Sequence, residues 1–241
     1  HVEFDYMRYR HDADWLSKQI GRYSFRRGKL VEQPTTLENM SKAVYSEESK
    51  RWRFVQTLDW TRSFGKHDLG ALVGYEAIRN WGFNTDMAKQ GAADASLTDL
   101  STYTELSNIT GTTWENTSRS FFGRLTYAYK SRYLFEVNAR YDGSSRFAPE
   151  SRWGFFPSFS GGWRVSEESF MQGSPFDNLK IRLSWGKLGN NSIGDYEWQA
   201  TYSGSNYIFG DKLTSGLAQT VIANQKLRWE SVTQTNIGLD F

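Results

Sequence analysis

The chain has 241 residues with 29 basic and 27 acidic side chains, a net charge of +2, and no cysteine. That composition excludes a disulfide framework and a thiolate metal site, and it offers no footing for nucleic-acid binding. No apolar run reaches the roughly 18 residues of a transmembrane helix. The mean hydropathy of −0.65 still leaves a β-barrel open, because barrel strands bury only alternate residues in lipid.

The chain starts at His1 rather than Met and lacks a charged-then-apolar leader. It reads as a processed chain or an interior piece of a longer one. Residues 2–9 alternate loosely, as the end of a strand does. Residues 10–48 are polar, and the expectation there is a long loop with a short helix over 14–20. Residues 51–64 place Trp52, Phe54, Leu58, Trp60 and Phe64 in one phase, and after a tight turn at 65–68 the chain returns over 69–81 with Leu69, Ala71, Val73 and Tyr75 in phase. This is a hairpin by spacing and turn chemistry.

A second polar segment, 82–117, is expected as a loop. Next come two nearly strict alternations, 121–129 and 133–141, joined at 130–132. One phase holds Phe121, Leu125, Tyr127, Tyr129, Tyr133, Phe135, Val137, Ala139 and Tyr141; the other holds Arg124, Thr126, Glu136, Asn138, Arg140 and Asp142. Successive strand side chains point to opposite faces, so each strand has an apolar and a polar face. Residues 153–165 repeat the pattern, and Ser166-Glu167-Glu168 reads as a capped helical turn in which helix-end charge compensation accounts for the carboxylates. Leu179, Ile181, Leu183 and Trp185 mark another strand, a third long loop covers 188–226, and residues 229–241 close the series.

The connections have a rhythm. Short turns (65–68, 130–132, 166–177) alternate with longer segments (82–117, 143–152, 188–226). Transmembrane barrels alternate short periplasmic turns with long extracellular loops, and their strands of about ten residues outrun the five or six of soluble sandwiches. The predicted fold is all-β: an antiparallel transmembrane β-barrel segment. The odd phase faces lipid for 69–81, 121–129, 133–141, 153–165, 179–185 and 235–241, and the even phase does so for 52–64.

Particular residues carry a family resemblance. Phe122-Gly123-Arg124-Leu125-Thr126-Tyr127, Arg140-Tyr141-Asp142-Gly143-Ser144-Ser145-Arg146-Phe147, Phe156-Pro157-Ser158-Phe159-Ser160 and Ser166-Glu167-Glu168-Ser169-Phe170 follow in order, and Leu227-Arg228-Trp229-Glu230 through Gln234-Thr235-Asn236-Ile237-Gly238-Leu239-Asp240-Phe241 closes the chain. The ordered series resembles the barrel of SusC/RagA-type TonB-dependent outer-membrane transporters. The resemblance implies a plugged barrel of 22 strands in the outer membrane of a Gram-negative, Bacteroidetes-type cell. Its implied function is to import an oligosaccharide or a peptide. The implied partners are outer-membrane lipid, a SusD-like surface lipoprotein lid and the TonB complex. About eight strands are legible, a third of such a barrel, with no plug domain or TonB-box segment among them.

For the polar face the resemblance implies substrate or plug contact by Arg124, Glu136, Asn138, Arg140, Asp142 and Arg182; cross-strand pairing is the plainer role for the same groups. Loop aromatics Trp114, Tyr196, Trp198, Tyr202 and Tyr207 are candidates for sugar or lid contact, since loops carry function. Strand aromatics are expected in interface girdles. The Asp142 turn lacks the alternating oxygen donors of a calcium loop, His1, His11 and His67 lack ligand spacing, and His67 is expected to be solvated in its turn. No nucleophile–base set is present, so neither an enzyme nor a cofactor is expected. The rival reading is a soluble aromatic-rich β-sandwich that binds carbohydrate. Such a sandwich buries the apolar phase between two sheets, whereas a barrel segment leaves it exposed.

Overall fold

The computed structural model describes residues 1–17, 22–26, 28–33, 40–94 and 96–241. Twelve strands are formed among them: β1 (Val2–Ser17), β2 (Arg22–Arg26), β3 (Lys29–Gln33), β4 (Ser41–Phe64), β5 (His67–Ala92), β6 (Tyr103–Tyr129), β7 (Tyr133–Ser144), β8 (Trp153–Arg164), β9 (Lys180–Asn190), β10 (Thr201–Phe209), β11 (Lys212–Val221) and β12 (Glu230–Asp240). Eight of them make one antiparallel sheet in the order β1-β4-β5-β6-β7-β8-β9-β12, and β2–β3 and β10–β11 are separate two-stranded hairpins. Neighbours in sequence are neighbours in the sheet wherever a short turn joins them, as an up-and-down barrel wall requires.

The chain divides into two compact units. The first contains residues 1–5, 52–79 and 116–241. In it the register holds without slip from β6 to β12. One row runs Leu125–Val137–Phe159–Trp185, and the second row beyond it Tyr129–Tyr133–Trp163–Ile181–Leu239. The opposite face carries Arg124–Asn138–Ser158–Gly186–Gln234 and Thr126–Glu136–Ser160–Ser184–Asn236. The two phases read from the sequence therefore lie on two separate faces. The apolar face is not covered among the described residues: Leu125 is 60% exposed and Ile237 80%. Buried apolar side chains are few; none of the odd-phase aromatics of 121–129, 133–141 and 153–165 is among them, and Val165 is buried in the short turn after β8. That removes the sandwich reading, which needs those aromatics in a closed core.

The second unit contains residues 6–51 and 80–115. Met40, Ala92 and Tyr103 form its small core, with Leu16 packed against it, and Lys42 pairs with Asp14. Here the sequence reading needs correcting. Residues 14–17 belong to β1 rather than to a helix; the rest of that predicted helix, 18–20, lies outside the described residues. Most of the predicted loops 10–48 and 82–117 is strand, because β4, β5 and β6 run to 24, 26 and 27 residues. Polar residues on both faces hide a strand from an alternation count, yet a paired neighbour still satisfies its backbone groups. Within the predicted loop 188–226 the chain folds into the β10–β11 hairpin.

Candidate functional site

On the apolar face, rings form two belts. The upper belt runs Phe54–Tyr75 (6.4 Å), Tyr75–Phe121 (5.2 Å), Phe121–Trp153 (6.2 Å) and Trp153–Tyr141 (4.8 Å). The lower belt, at the short-turn end, links Phe64 to His67 (5.3 Å), His67 to Tyr129 (4.9 Å) and Tyr129 to Tyr133 (6.3 Å). His67 is thus the first residue of β5 and part of the belt, its Nδ1 lying 2.9 Å from the Tyr127 hydroxyl. It is not solvated in a turn, because only Gly65 and Lys66 turn the chain and Gly65 takes φ of 61°. Between the belts stand aliphatic residues such as Leu125, Val137 and Val73. The rings of these two belts stand at girdle positions, whereas Phe159 and Trp185 stack at 5.7 Å in register with Leu125. From Tyr133 to Tyr141 is eight residues, about 27 Å along the strand and about 20 Å vertically at a 40° tilt. That is close to the ~25 Å apolar band of an outer-membrane barrel.

The polar face holds the predicted site residues Arg124, Glu136, Asn138, Arg140, Asp142 and Arg182 together, as alternation requires, but divides them by what they bind. Arg140 is fully engaged. Its Nε donates to Asp142 (2.8 Å), and its Nη2 donates to Glu76 Oε2 and Ser120 Oγ (both 2.9 Å). Its guanidinium stands 5.4 Å from the Phe122 ring centre. Glu76 also accepts from Arg53 Nε at 2.6 Å, and Arg53 reaches Glu3 and Asp5 at 3.4 and 3.5 Å. The result is a chain of alternating charges across β1, β4, β5 and β7. Arg53 and Glu76 were missed in sequence because the hairpin register that places them beside Arg140 is not visible in either strand alone. Arg182 forms a bidentate pair with Asp240, both contacts at 2.7 Å.

Arg124 makes no ion pair among the described residues, and Glu136 accepts only from Asn138 Nδ2 at 2.8 Å. Around these two the polar face is a lattice of small hydroxyl and amide groups: Ser158, Ser160, Ser184, Gln234 and Asn236 line one depression with Glu136 and Asn138. A larger cavity of about 720 Å³ opens nearer the short turns, floored by Gly70, Gly162 and Ala128 and flanked by Asp68, Glu136, Lys180 and Arg182. Gly70 is small of necessity, since a Cβ there would lie 2.5 Å from Thr126 Oγ1.

The predicted loop aromatics separate too. Trp114 lies within β6, its ring 3.0 Å from where a Cβ on Gly82 would stand. Tyr196 sits at φ 63°, and the Trp198 carbonyl accepts from Asn224 N. Tyr202 and Tyr207 are exposed on β10, where Tyr207 packs edge-on against Phe209 at 4.9 Å.

Two motifs turn out to be structural. In the Asp142-to-Phe147 stretch, Phe147 is 0% exposed and packs 5.3 Å from Trp229, while Arg146 Nε donates to Asp195 at 2.9 Å and Asn116 Nδ2 donates to the same carboxylate at 3.1 Å. The loop is thereby folded down onto the strand ends. Short 3-10 turns do form at Val165–Glu167 and Ser169–Met171, and Glu168 stands at the N-cap position of the second, but its side chain makes no cap hydrogen bond. It accepts from Tyr133 OH (2.6 Å), Arg132 Nη1 (2.7 Å) and Trp163 Nε1 (3.0 Å), tying the β6–β7 turn to the end of β8. The Tyr133 hydroxyl, then the Trp163 indole and the Arg132 charge, hold its carboxyl below the usual carboxylate range. Among the described residues no cluster of three or more His, Cys, Asp and Glu side chains could hold a metal ion.

Comparison with known proteins agrees with this geometry. The family model "TonB dependent receptor-like, beta-barrel" matches residues 2–241. TonB-dependent receptor SusC of Bacteroides thetaiotaomicron is 36% identical over 190 residues, covering 76% of this chain and 18% of its own length. A TonB-dependent receptor of Formosa agariphila is 34% identical over 186 residues, covering 76% of this chain and 19% of its own. The solved RagAB peptide importer in its open-open state superposes with a TM-score of 0.78 at 26% identity, covering 99% of this chain and 25% of that one. The chain therefore spans about a fifth of the length of the curated relatives it matches. A sheet with one bare apolar face between two aromatic belts, matched from end to end by one family model, makes this chain a member of the TonB-dependent receptor-like β-barrel family.

Proposed function

We propose that this segment is part of the barrel wall of an outer-membrane importer that takes up an oligosaccharide or a peptide, with a SusD-like lipoprotein lid outside and the TonB complex supplying energy from within. The observation that carries the reading is the bare apolar face, banded by aromatics about 20 Å apart, backed by a polar face on which Arg140–Glu76 and Arg182–Asp240 pair across strands. Lipid is the solvent that such a face fits. The likeness to the RagAB peptide importer supports a peptide cargo, and the resemblance of the motif series to SusC/RagA-type transporters keeps an oligosaccharide beside it. On the polar face, Arg140, Asp142 and Arg182 hold the wall together, and cargo or plug contact falls to Arg124, Glu136 and Asn138 beside the serine and amide lattice. Tyr202 and Tyr207, exposed on β10, meet cargo or lid from the outer side.

The test is uptake. Cells producing the full-length receptor are given fluorescent oligosaccharides and peptides, with and without a working TonB complex. Accumulation of one cargo class that needs both receptor and TonB is expected. Accumulation unchanged by deletion of the receptor removes the reading.

A further inference from the structure

On the apolar face of the first unit, Phe4, Trp52, Phe54 and Tyr75 surround a crevice of about 390 Å³ whose floor is Ala77. That volume lies within the ~300–1,000 Å³ of small-ligand sites. Its walls offer rings and no charge. Phe4 and Trp52 stack at 6.4 Å, and Phe54 and Tyr75 meet at 6.4 Å with their rings tilted by 57°. Tyr75 in turn meets Phe121 at 5.2 Å with the rings tilted, and the Lys130 N–H donates to the Lys66 carbonyl at 2.7 Å, which together set β5 beside β6. Two residues further from the short turns, Ala77 on β5 and Arg119 on β6 are therefore neighbours on this same face.

Arg119 is exposed and has no ion pair among the described residues. Its partner across β7 is Gly143, and the Trp153 ring lies against the Gly143 backbone at 2.9 Å from where a Cβ would stand. Arg119 thus has the short Ala77 side chain on its β5 side and, on its β7 side, Gly143 covered by the Trp153 ring. An exposed arginine therefore stands on the strand next to Ala77, the floor of the apolar crevice. A guanidinium fork binds a phosphate through two parallel charge-assisted hydrogen bonds.

We propose that this face holds one phosphorylated glycolipid of the outer leaflet, an acyl chain lying over Ala77 between the four rings and a phosphate on the Arg119 guanidinium. The inference rests on the barrel reading above, because only that reading puts lipid against this face. It makes Arg119 and Ala77 a lipid site on the outside of the wall, separate from the polar face that meets cargo.

The experiment uses the full-length receptor in detergent, with native mass spectrometry and titration against diphosphorylated lipid A, the same lipid stripped of phosphate, and inorganic phosphate. Affinity for diphosphorylated lipid A is expected to fall about tenfold in Arg119→Gln, the scale of one charge-assisted contact, and affinity for the stripped lipid to stay put. Ala77→Leu, which fills the crevice, is expected to weaken both. Equal affinity for the two lipids in the wild type, or no effect of Arg119→Gln, overturns the phosphate contact. Displacement of lipid by millimolar inorganic phosphate overturns the crevice as the acyl seat. Heat-resistant migration on gels and cargo uptake report the barrel separately: their loss in the wild type counts against the import reading, whereas intact migration and uptake with no lipid discrimination count against this site alone.

Discussion

The face assignment has one decisive perturbation. Leu125 lies midway between the belts, four residues from Phe121 and four from Tyr129, about 10 Å vertically from each at a 40° tilt. It is 60% exposed, so in water Leu125→Arg would change stability by no more than about 0.5 kcal/mol. At the midplane of a bilayer the same arginine costs about 2–4 kcal/mol. The next residue, Thr126, faces the polar cavity, and Thr126→Arg is expected to cost well under 1 kcal/mol relative to wild type. The two effects thus differ by a factor of at least three to be read between adjacent residues. The assay is equilibrium urea unfolding of the full-length receptor in lipid vesicles, followed by tryptophan fluorescence. Similar costs for the two arginines, both under about 0.5 kcal/mol, would refute the membrane-facing assignment of this phase.

Three further outcomes are expected. A double-mutant cycle of Glu76→Gln with Arg140→Gln should give a coupling of about 1 kcal/mol, since the pair is hydrogen-bonded at 2.9 Å but only part-buried; a coupling within error of zero removes the charge chain as a wall element. Phe147→Ala should destabilise by about 3–5 kcal/mol and raise proteolysis within residues 143–152, because the ring is fully buried against Trp229; uncut loops at wild-type stability contradict the anchor. The Glu168 carboxyl is lowered in the folded state from an ordinary value of 4.5, so its contribution is full above that value and fades as pH falls through it toward the folded pKa. Hydrogen exchange of the β6–β7 turn should therefore be slow near neutral pH relative to a Glu168→Gln variant, the two converging in acid. A difference that persists unchanged at pH 3 contradicts the ionised latch.

What the sequence could and could not show follows from the range of each signal. Alternation is local: Phe121 to Tyr141 announces two faces because each side chain's direction depends only on its own strand. The motif order added the family, and the match over residues 2–241 agrees. Alternation failed where both phases are polar, in the outer parts of β4, β5 and β6, because the sheet there is held by backbone pairing that composition does not report. It also misjudged His67 and Glu168, whose partners Tyr127, Tyr129 and Trp163 arrive from other strands.

The sequence by itself determined which residues share a face and that one face suits lipid, since period and polarity are properties of consecutive residues. Only the tertiary structure decided which polar groups are consumed by the wall. Arg124, Arg140 and Arg182 are alike in sequence, and cross-strand register gives Arg140 the Glu76 carboxylate in addition to Asp142 of its own strand, gives Arg182 that of Asp240, and gives Arg124 none among the described residues. The physical reason is that strand register is set by turns and neighbours many residues away, while the chemistry of a charged group is set by whatever that register places within 3 Å of it.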